Sequence, residues 1–283
     1  MYREIIKQTD RKYMATRVEI NETKALQRFN GLIRTLKQNL ELLDASLTLA
    51  NKVCKSKNKQ EDLSIAEALN SNIERHPQLN HPNKPIDIKR TFSTVRIRLN
   101  EQTIITLYKC FSDYMTNIIR EMIETNNSEN LIGLVASNKD DSMTFMDIIR
   151  FDDKSSIIEE MAKRVYRKLE NERSTTKLLN KVIGATHMSI AEGLKNKALL
   201  YLEIRHLIIH NDSKADKDFE KKNNESQSPV KIKPGDKLQL NFELSSQAIA
   251  CVSELCQKID EQLITLKLVS KRFITPPEKK IEV

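Results

Sequence analysis

One stretch of the sequence, from Tyr201 to Asp212, combines side chains that transfer protons with a side chain that binds phosphate. It contains, in order, Arg205, His206, His210, Asn211 and Asp212 in an otherwise apolar run. An imidazole, whose unperturbed pKa is about 6.5, takes or gives a proton near neutrality. A guanidinium is a permanently charged, planar fork of donors that matches phosphate oxygens. The stretch therefore predicts acid–base chemistry beside an anionic group, with Arg205 and His210 as the catalytic pair.

The order of these residues resembles the motif of the HEPN superfamily. Arg205 is followed by the polar His206, three apolar residues and His210, which is the R-(polar)-x3-H pattern. The sequel from His210 to Phe219 is similar to the tail of members that carry an RHLIVHN run, and the resemblance extends over about Asp87 to Lys271. It implies an up-and-down, all-helical bundle that dimerises with the two motif helices side by side. In the catalytic members it implies a metal-independent endoribonuclease.

Cleavage of single-stranded RNA by such a site needs no metal ion, since the 2′-hydroxyl of the substrate is the nucleophile. His210 is assigned to proton transfer, which contributes roughly 10²–10⁴-fold, and Arg205 to the charge that develops on the phosphorane. The expected products carry 2′,3′-cyclic phosphate and 5′-hydroxyl ends, and DNA is inert. The supporting residues are His206, Asn211, Asp212 and Glu203. We expect neither a cofactor nor a bound metal.

The resemblance also implies biological partners. A protein of this type is expected to act as the toxin of a toxin–antitoxin pair or as an abortive-infection effector in phage defence. Its partners would then be RNA, a second copy of itself in a homodimer, and an antitoxin or inhibitor protein. The competing interpretation is a non-catalytic HEPN-like module that dimerises or binds RNA or nucleotides.

Two further interpretations of the motif stay open. Arg205 can pair with a carboxylate while His210 caps the C-terminus of its helix, where the partial negative charge favours a cation. Alternatively, His206 and His210 are four residues apart and can chelate zinc from one helix face, with His187 or Asp212 as a third ligand. The absence of a Glu beside His206, as in H-E-x-x-H, disfavours the zinc site.

A helix that begins near Ile190 has to present the motif. Ser189 and Glu192 have the S-x-x-E spacing of a capping box, and the apolar residues that follow have the 3.6-residue period. A regular helix would place Arg205 and His210 roughly 140° apart in projection. Either the helix ends between these two residues, or a second copy of the protein completes the site in a composite cleft.

The N-terminal part of the chain predicts a second long helix, at about residues 22–53. Its apolar positions alternate spacings of three and four from Leu26 to Ala50, which is a heptad seam. We expect this seam to pack within its own chain, with a dimer-extending arm as the alternative. Residues 1–60 hold 13 Lys/Arg against 6 Asp/Glu, which leaves +7 of the total +8 there and would attract RNA.

The prolines at 77, 82 and 85 mark a domain boundary. We predict an all-α protein with a basic N-terminal helical extension at 1–86, an HEPN-like helical bundle at 87–272 and a disordered tail at 273–283. Within the bundle, the polar segment from Asn211 to Asp236 is predicted to be a mobile loop. Ser64 with Glu67 and the run Asp153–Ser156 are predicted to cap two helices, and the last long helix is predicted to be capped by Ser245 or Ser246.

Composition excludes several other classes of protein. The 283 residues are 39% hydrophobic and 30% charged, and five Gly and seven Pro are few, which suits long helices. No apolar run approaches the roughly 20 residues of a membrane span, and the N-terminus lacks the hydrophobic core of a signal peptide. We therefore expect a cytoplasmic protein with no membrane partner. The four cysteines form no C-x-x-C pair, which predicts free thiols.

Overall fold

Helices make up most of the chain in the computed structural model, which describes residues 18–57, 63–125, 148–170, 175–226 and 232–274. The helices are α1 Lys24–Lys57, α2 Ile65–Leu69, α3 Pro85–Glu124, α4 Lys154–Glu170, α5 Thr175–Thr186, α6 Glu192–His210, α7 Lys217–Glu225 and α8 Phe242–Thr265, with a 3-10 turn at Pro77–Leu79. The strands are β1 Val18–Ile20, β2 Leu63–Ser64, β3 Pro82–Asn83 and β4 Arg272–Ile274. They form two short antiparallel pairs, β1 with β4 and β2 with β3. The predicted all-α class is confirmed in this coarse form, while the HEPN-like bundle stays a prediction.

The chain divides into two compact units, each built from separated segments. The first unit comprises Met1–Arg28, Tyr114–Ser189 and Cys256–Val283, and the second comprises Phe29–Asp113 and Ile190–Leu255. The predicted division at residue 86 stays a prediction, because contacts within a folded chain do not test which segment folds independently.

In the first unit, the buried Asp260 and the partly buried Glu121 hold the start of α1. Thr23 donates its backbone N–H and its hydroxyl to the two oxygens of Asp260, at 3.0 and 2.5 Å. The N–H of Ala25 donates to Oε1 of Glu121 at 2.7 Å. Burial raises the pKa of Glu121 to about 7 and also raises the pKa of Asp260. We call Glu121 and Asp260 the carboxylate cluster; it satisfies backbone donors that the first turn of a helix leaves without intrahelical partners.

In the second unit, α6 is buried on all sides over its middle. Every residue from Ala198 to Leu202 is buried, as are Ile204 and Leu207. A helix that is apolar all round must lie inside a core, because no face of it suits water. Both ends of α6 reach the surface, and its C-terminal end carries the motif.

The heptad-patterned helix is observed as α1, slightly longer than predicted. The first residues of its seam are buried within the chain, including Phe29 and Ile33 at 1% and 4% exposure. Leu43 is 47% exposed, whereas Leu47 and Ala50 are partly buried and pack against a core cluster that includes Cys54 and Phe92. Packing within the chain is therefore observed for most of the seam, and the dimer-extending arm stays a prediction.

Two helix starts follow local sequence rules. The hydroxyl of Ser64 accepts the N–H of Glu67 at 3.1 Å, and the Glu67 carboxylate accepts the N–H of Ser64 at 3.2 Å, which completes the capping box of α2. Asp153 accepts the N–H of Ser156 at 2.8 Å, just before α4. Both caps are confirmed.

The predicted cap of α8 is wrong. The helix begins at Phe242, and the side chain of Asn241 accepts the N–H of Leu244 at 2.8 Å. Ser245 is buried instead, and its hydroxyl donates to the Asn100 side chain at 2.7 Å. An interior partner on α3 thus uses the hydroxyl that the sequence pattern had assigned to the helix end.

The segment from Asn211 to Asp236 was predicted to be a loop, but part of it is the helix α7. Asp216 caps this helix by accepting the N–H of Phe219 at 2.7 Å, and the Phe219 ring is buried. One buried aromatic therefore anchors an otherwise polar helix. Residues 227–231 of this segment lie outside the described residues, as does the predicted tail from Thr275 onwards. The tail was predicted from residue 273, but Phe273 and Ile274 belong to β4.

Candidate functional site

Helix α6 begins later than predicted and continues through the whole motif. Its N-cap is Ala191, which has no side chain that can cap, so the predicted Ser189–Glu192 capping box is wrong. Glu192 pairs with Lys195 at 2.7 Å instead. At the other end, the helix remains regular to His210. A helix end between the two catalytic candidates is thereby excluded, and they lie on different faces of α6.

Arg205 contacts an aromatic ring of another helix. Its guanidinium carbon lies 4.7 Å from the centroid of the Tyr108 ring on α3. At this distance the positive charge is attracted to the electron-rich face of the ring. Arg205 is half-buried. Its observed partner is an aromatic ring, whereas the interpretation in which the motif has only a structural role pairs Arg205 with a carboxylate.

The two motif histidines lie side by side on the exposed face of α6. The ring centroids of His206 and His210 are 4.8 Å apart, with their planes tilted by 43°. Both side chains are exposed, and Ile209, which flanks them on this face, is 45% exposed. We call His206, Ile209 and His210 the imidazole face. A substrate or a second protein molecule can reach both rings directly.

The backbone turns sharply immediately after the motif. The N–H groups of Asn211 and Ser213 both donate to the carbonyl of Leu207, at 3.0 and 2.9 Å. Asp212 and Ser213 have φ of 47° and 60°, a left-handed conformation that costs energy for residues other than glycine. The side-chain amide of Asn211 donates to the Lys214 carbonyl at 2.6 Å. Asn211 therefore shapes the turn that directs the chain away from the histidines.

A buried carboxylate on α3 holds this turn. The Ser213 hydroxyl donates to Oε1 of Glu101 at 3.1 Å, and Arg98 pairs with Oε2 of Glu101 at 2.7 Å. Glu101 is only 5% exposed. Sequence reasoning missed both Glu101 and Tyr108, because nothing in the pattern of α3 indicates which of its residues face α6.

The remaining predicted supporting residues have partners outside the imidazole face. Glu203 pairs with Lys222 of α7 at 3.1 Å, which links the two helices. Asp212 pairs with Lys237 at 3.4 Å, and both side chains are largely exposed. Exposed pairs of this kind contribute little to stability. A direct role of Glu203 or Asp212 in chemistry stays a prediction.

The zinc interpretation has only two of its ligands in place. His206 and His210 are adjacent, but Asp212 is engaged by Lys237. Within the described part of the chain, no group of three His, Cys, Asp or Glu side chains is arranged to hold a metal ion.

The chain was compared with models of known protein families, with characterised proteins and with solved structures. None of the three comparisons gives a match. Separately, no helix in the described ranges has an apolar stretch long enough to span a membrane.

Proposed function

We propose that the protein is a homodimeric, HEPN-type endoribonuclease that cleaves single-stranded RNA without a metal ion. One observation carries the proposal: the buried middle of α6 leads directly to a C-terminal end where His206 and His210 are exposed and Arg205 is half-buried. Polar groups at the end of a core helix are rigidly supported. Rigid support is what a site needs in order to align a reacting phosphate.

In the proposed reaction, His210 transfers a proton between the RNA and solvent. It removes the proton of the 2′-hydroxyl or delivers one to the leaving 5′-oxygen, and the exposed imidazole is open to either contact. Arg205 stabilises the charge on the phosphorane. His206, within ring contact of His210, supports it by orienting the neighbouring imidazole or by binding an adjacent phosphate.

The proposed dimer follows from the regularity of α6. Because the two catalytic side chains lie roughly 140° apart on a regular helix, one copy does not direct both at the same phosphate. We therefore place a second copy against the imidazole face, so that each phosphate meets Arg205 from one copy and His210 from the other. Ile209 supports this arrangement, since its exposed apolar side chain would lose water contact in such a dimer.

The biological role that fits this activity is a toxin or a phage-defence effector. An unrestrained ribonuclease harms its own cell, so we include an antitoxin or inhibitor protein among the proposed partners. The basic N-terminal residues 1–60 would attract RNA, and binding should then weaken steeply as the salt concentration rises.

A second candidate function rests on the contact between Arg205 and Tyr108. A half-buried arginine against an aromatic ring of its own chain also occurs where arginine has only a structural role. The alternative is therefore a non-catalytic dimerising module that binds RNA or nucleotides through the same surface.

Incubation with a single-stranded RNA in excess EDTA separates these functions. Cleavage that leaves 2′,3′-cyclic phosphate and 5′-hydroxyl ends supports the proposed enzyme. Binding without cleavage supports the module, and cleavage that returns only when zinc is added supports the metal site. The matched control is the same oligonucleotide with 2′-deoxyribose, which lacks the nucleophile and should stay intact.

A further inference from the structure

We propose that Tyr108 is a positioning residue, which holds the Arg205 guanidinium in the orientation that meets the RNA phosphate. The inference rests on the proposed ribonuclease function. Tyr108 itself need not touch the substrate; it acts through the contact of 4.7 Å between its ring centroid and the guanidinium carbon.

An aromatic partner suits an arginine that must bind phosphate. A carboxylate would neutralise the guanidinium and compete with the phosphate for its N–H donors. A ring attracts the cation through its quadrupole and leaves the net positive charge in place. Arginine also has a long, flexible side chain, so a fixed contact reduces the entropy that is lost when the guanidinium meets its ligand. Tyr108 therefore orders Arg205 without neutralising its charge.

The position of the Tyr108 ring is itself fixed by a second contact. Glu101 lies seven residues, or about two turns, before Tyr108 on the same face of α3. Its buried carboxylate accepts the hydroxyl of Ser213, just beyond the end of α6. One face of α3 is thus tied to α6 at Arg205 and again at the turn after His210. Tyr108 cannot shift along α6 without breaking the buried Glu101 contact.

The test compares Tyr108→Phe, which keeps the aromatic face, with Tyr108→Leu, which removes it. We expect Tyr108→Leu to lower kcat about tenfold, which is within the range of a half-buried cation–π contact, with KM changed less than about twofold. Tyr108→Phe should stay within about twofold of the wild type. If Tyr108→Leu does not fold, Tyr108→Met replaces it, because methionine fills a similar volume without a ring face.

A spectroscopic measurement gives a readout that does not depend on cleavage. The Arg205 Nε–H resonance should show a ring-current shift in the wild type and in Tyr108→Phe. This shift should disappear in Tyr108→Leu, while the thermal unfolding midpoint confirms that the variant is folded.

Three results would overturn the inference. Equal activity of the wild type and Tyr108→Leu would show that the contact has no catalytic consequence. Equal damage in Tyr108→Phe and Tyr108→Leu would assign the effect to the hydroxyl, and a rise in KM with unchanged kcat would indicate that Tyr108 binds RNA directly. Arg205→Ala identifies which proposal has failed: an inactive Arg205→Ala with a fully active Tyr108→Leu overturns only the positioning role, whereas an active Arg205→Ala overturns the proposed function as well.

Discussion

The carboxylate cluster of the first unit holds its polar groups in hydrogen bonds away from water, whereas the imidazole face of the second unit exposes its polar groups to water. Asp260 is 1% exposed, and both of its oxygens accept hydrogen bonds from Thr23. His206 and His210 are exposed, and their ring centroids lie 4.8 Å apart. Both regions lie at a helix terminus, so position along a helix does not explain the difference.

The contrast separates polar groups that support the fold from polar groups that are available for chemistry. A buried carboxylate is retained where backbone donors need an acceptor, and its removal leaves those donors unsatisfied. Exposed imidazoles contribute little to the fold, and they can be replaced at small cost in stability. Each region therefore predicts a different response to mutation.

The largest expected effect is on cleavage. Arg205→Ala and His210→Ala should each lower the cleavage rate by at least about 10²-fold, as expected for loss of charge stabilisation or of acid–base catalysis. The thermal unfolding midpoint should change by no more than a few degrees, and His206→Ala should impair cleavage less. A large loss of thermal stability in both variants, with cleavage retained by the folded fraction, would contradict the catalytic assignment.

A substitution in the carboxylate cluster should lower the stability of the fold and leave cleavage unchanged. Asp260→Ala removes the acceptor of two bonds from Thr23, and we expect the free energy of unfolding to fall by about 2–3 kcal/mol. Cleavage per folded molecule should be unchanged. Urea unfolding measures the loss, and Asp216→Ala is the matched control, because this exposed cap of α7 should cost only about 1 kcal/mol. Equal losses in the two variants would argue against a special role for burial.

The pH dependence of stability also distinguishes the carboxylate cluster from the imidazole face. Burial raises the pKa of Glu121 to about 7 from the 4.5 of an exposed glutamate, so the folded state holds a proton that the unfolded state has already released. The resulting stabilisation is complete below about pH 4.5 and is lost as the pH rises through about 7. Because Glu121 is only partly buried, we expect a decrease of roughly 1–2 kcal/mol between pH 5 and pH 8.

Glu121→Gln should reduce the decrease in the free energy of unfolding between pH 5 and pH 8. Urea unfolding at a series of pH values measures this decrease. Asp260 and Glu124 add negative charge beside Glu121, and Lys24 adds positive charge. Glu124→Gln is therefore the control: it removes a neighbouring charge from an exposed site and should leave most of the slope. A slope that is identical in the wild type and in Glu121→Gln would assign the titration to another group.

The smallest expected effect concerns the link between α6 and α7. Glu203→Gln and Lys222→Gln should each lower the free energy of unfolding by about 1 kcal/mol or less, because the pair is partly exposed. The double variant should lose no more than either single variant, since both remove the same interaction. Cleavage within about threefold of the wild type would give Glu203 a structural role. A loss of cleavage comparable to that of His210→Ala would instead place it in the site.

Local patterns predicted much of the helical structure. The heptad seam gave α1, and the pairs Ser64–Glu67 and Asp153–Ser156 gave two helix starts. The predicted cap of α8 was wrong for a physical reason. A serine at the correct spacing is not a cap when an interior residue takes its hydroxyl, as Asn100 does with Ser245. Helix α7 was missed because its composition is polar and a single buried ring, that of Phe219, anchors it.

The candidate site was predictable only as far as it is local in sequence. The motif identified Arg205, His206 and His210, since these residues lie within two turns of one helix. Tyr108 and Glu101 are far from them in the chain, and only the packing of α3 against α6 brings them close. Contacts of this type depend on how two helices are rotated about their axes, which one sequence does not specify.

Alkylation of the buried cysteines can report when the core of this protein opens. None of the four cysteines forms a disulfide, and all four are buried. Burial raises the pKa of Cys54, Cys110 and Cys251, which keeps them as unreactive thiols. An alkylating reagent can therefore modify them only when the surrounding core opens. Cys256 belongs to the first unit and the other three to the second, so the order in which mass increments appear on separate peptides shows whether the two units open together or one before the other.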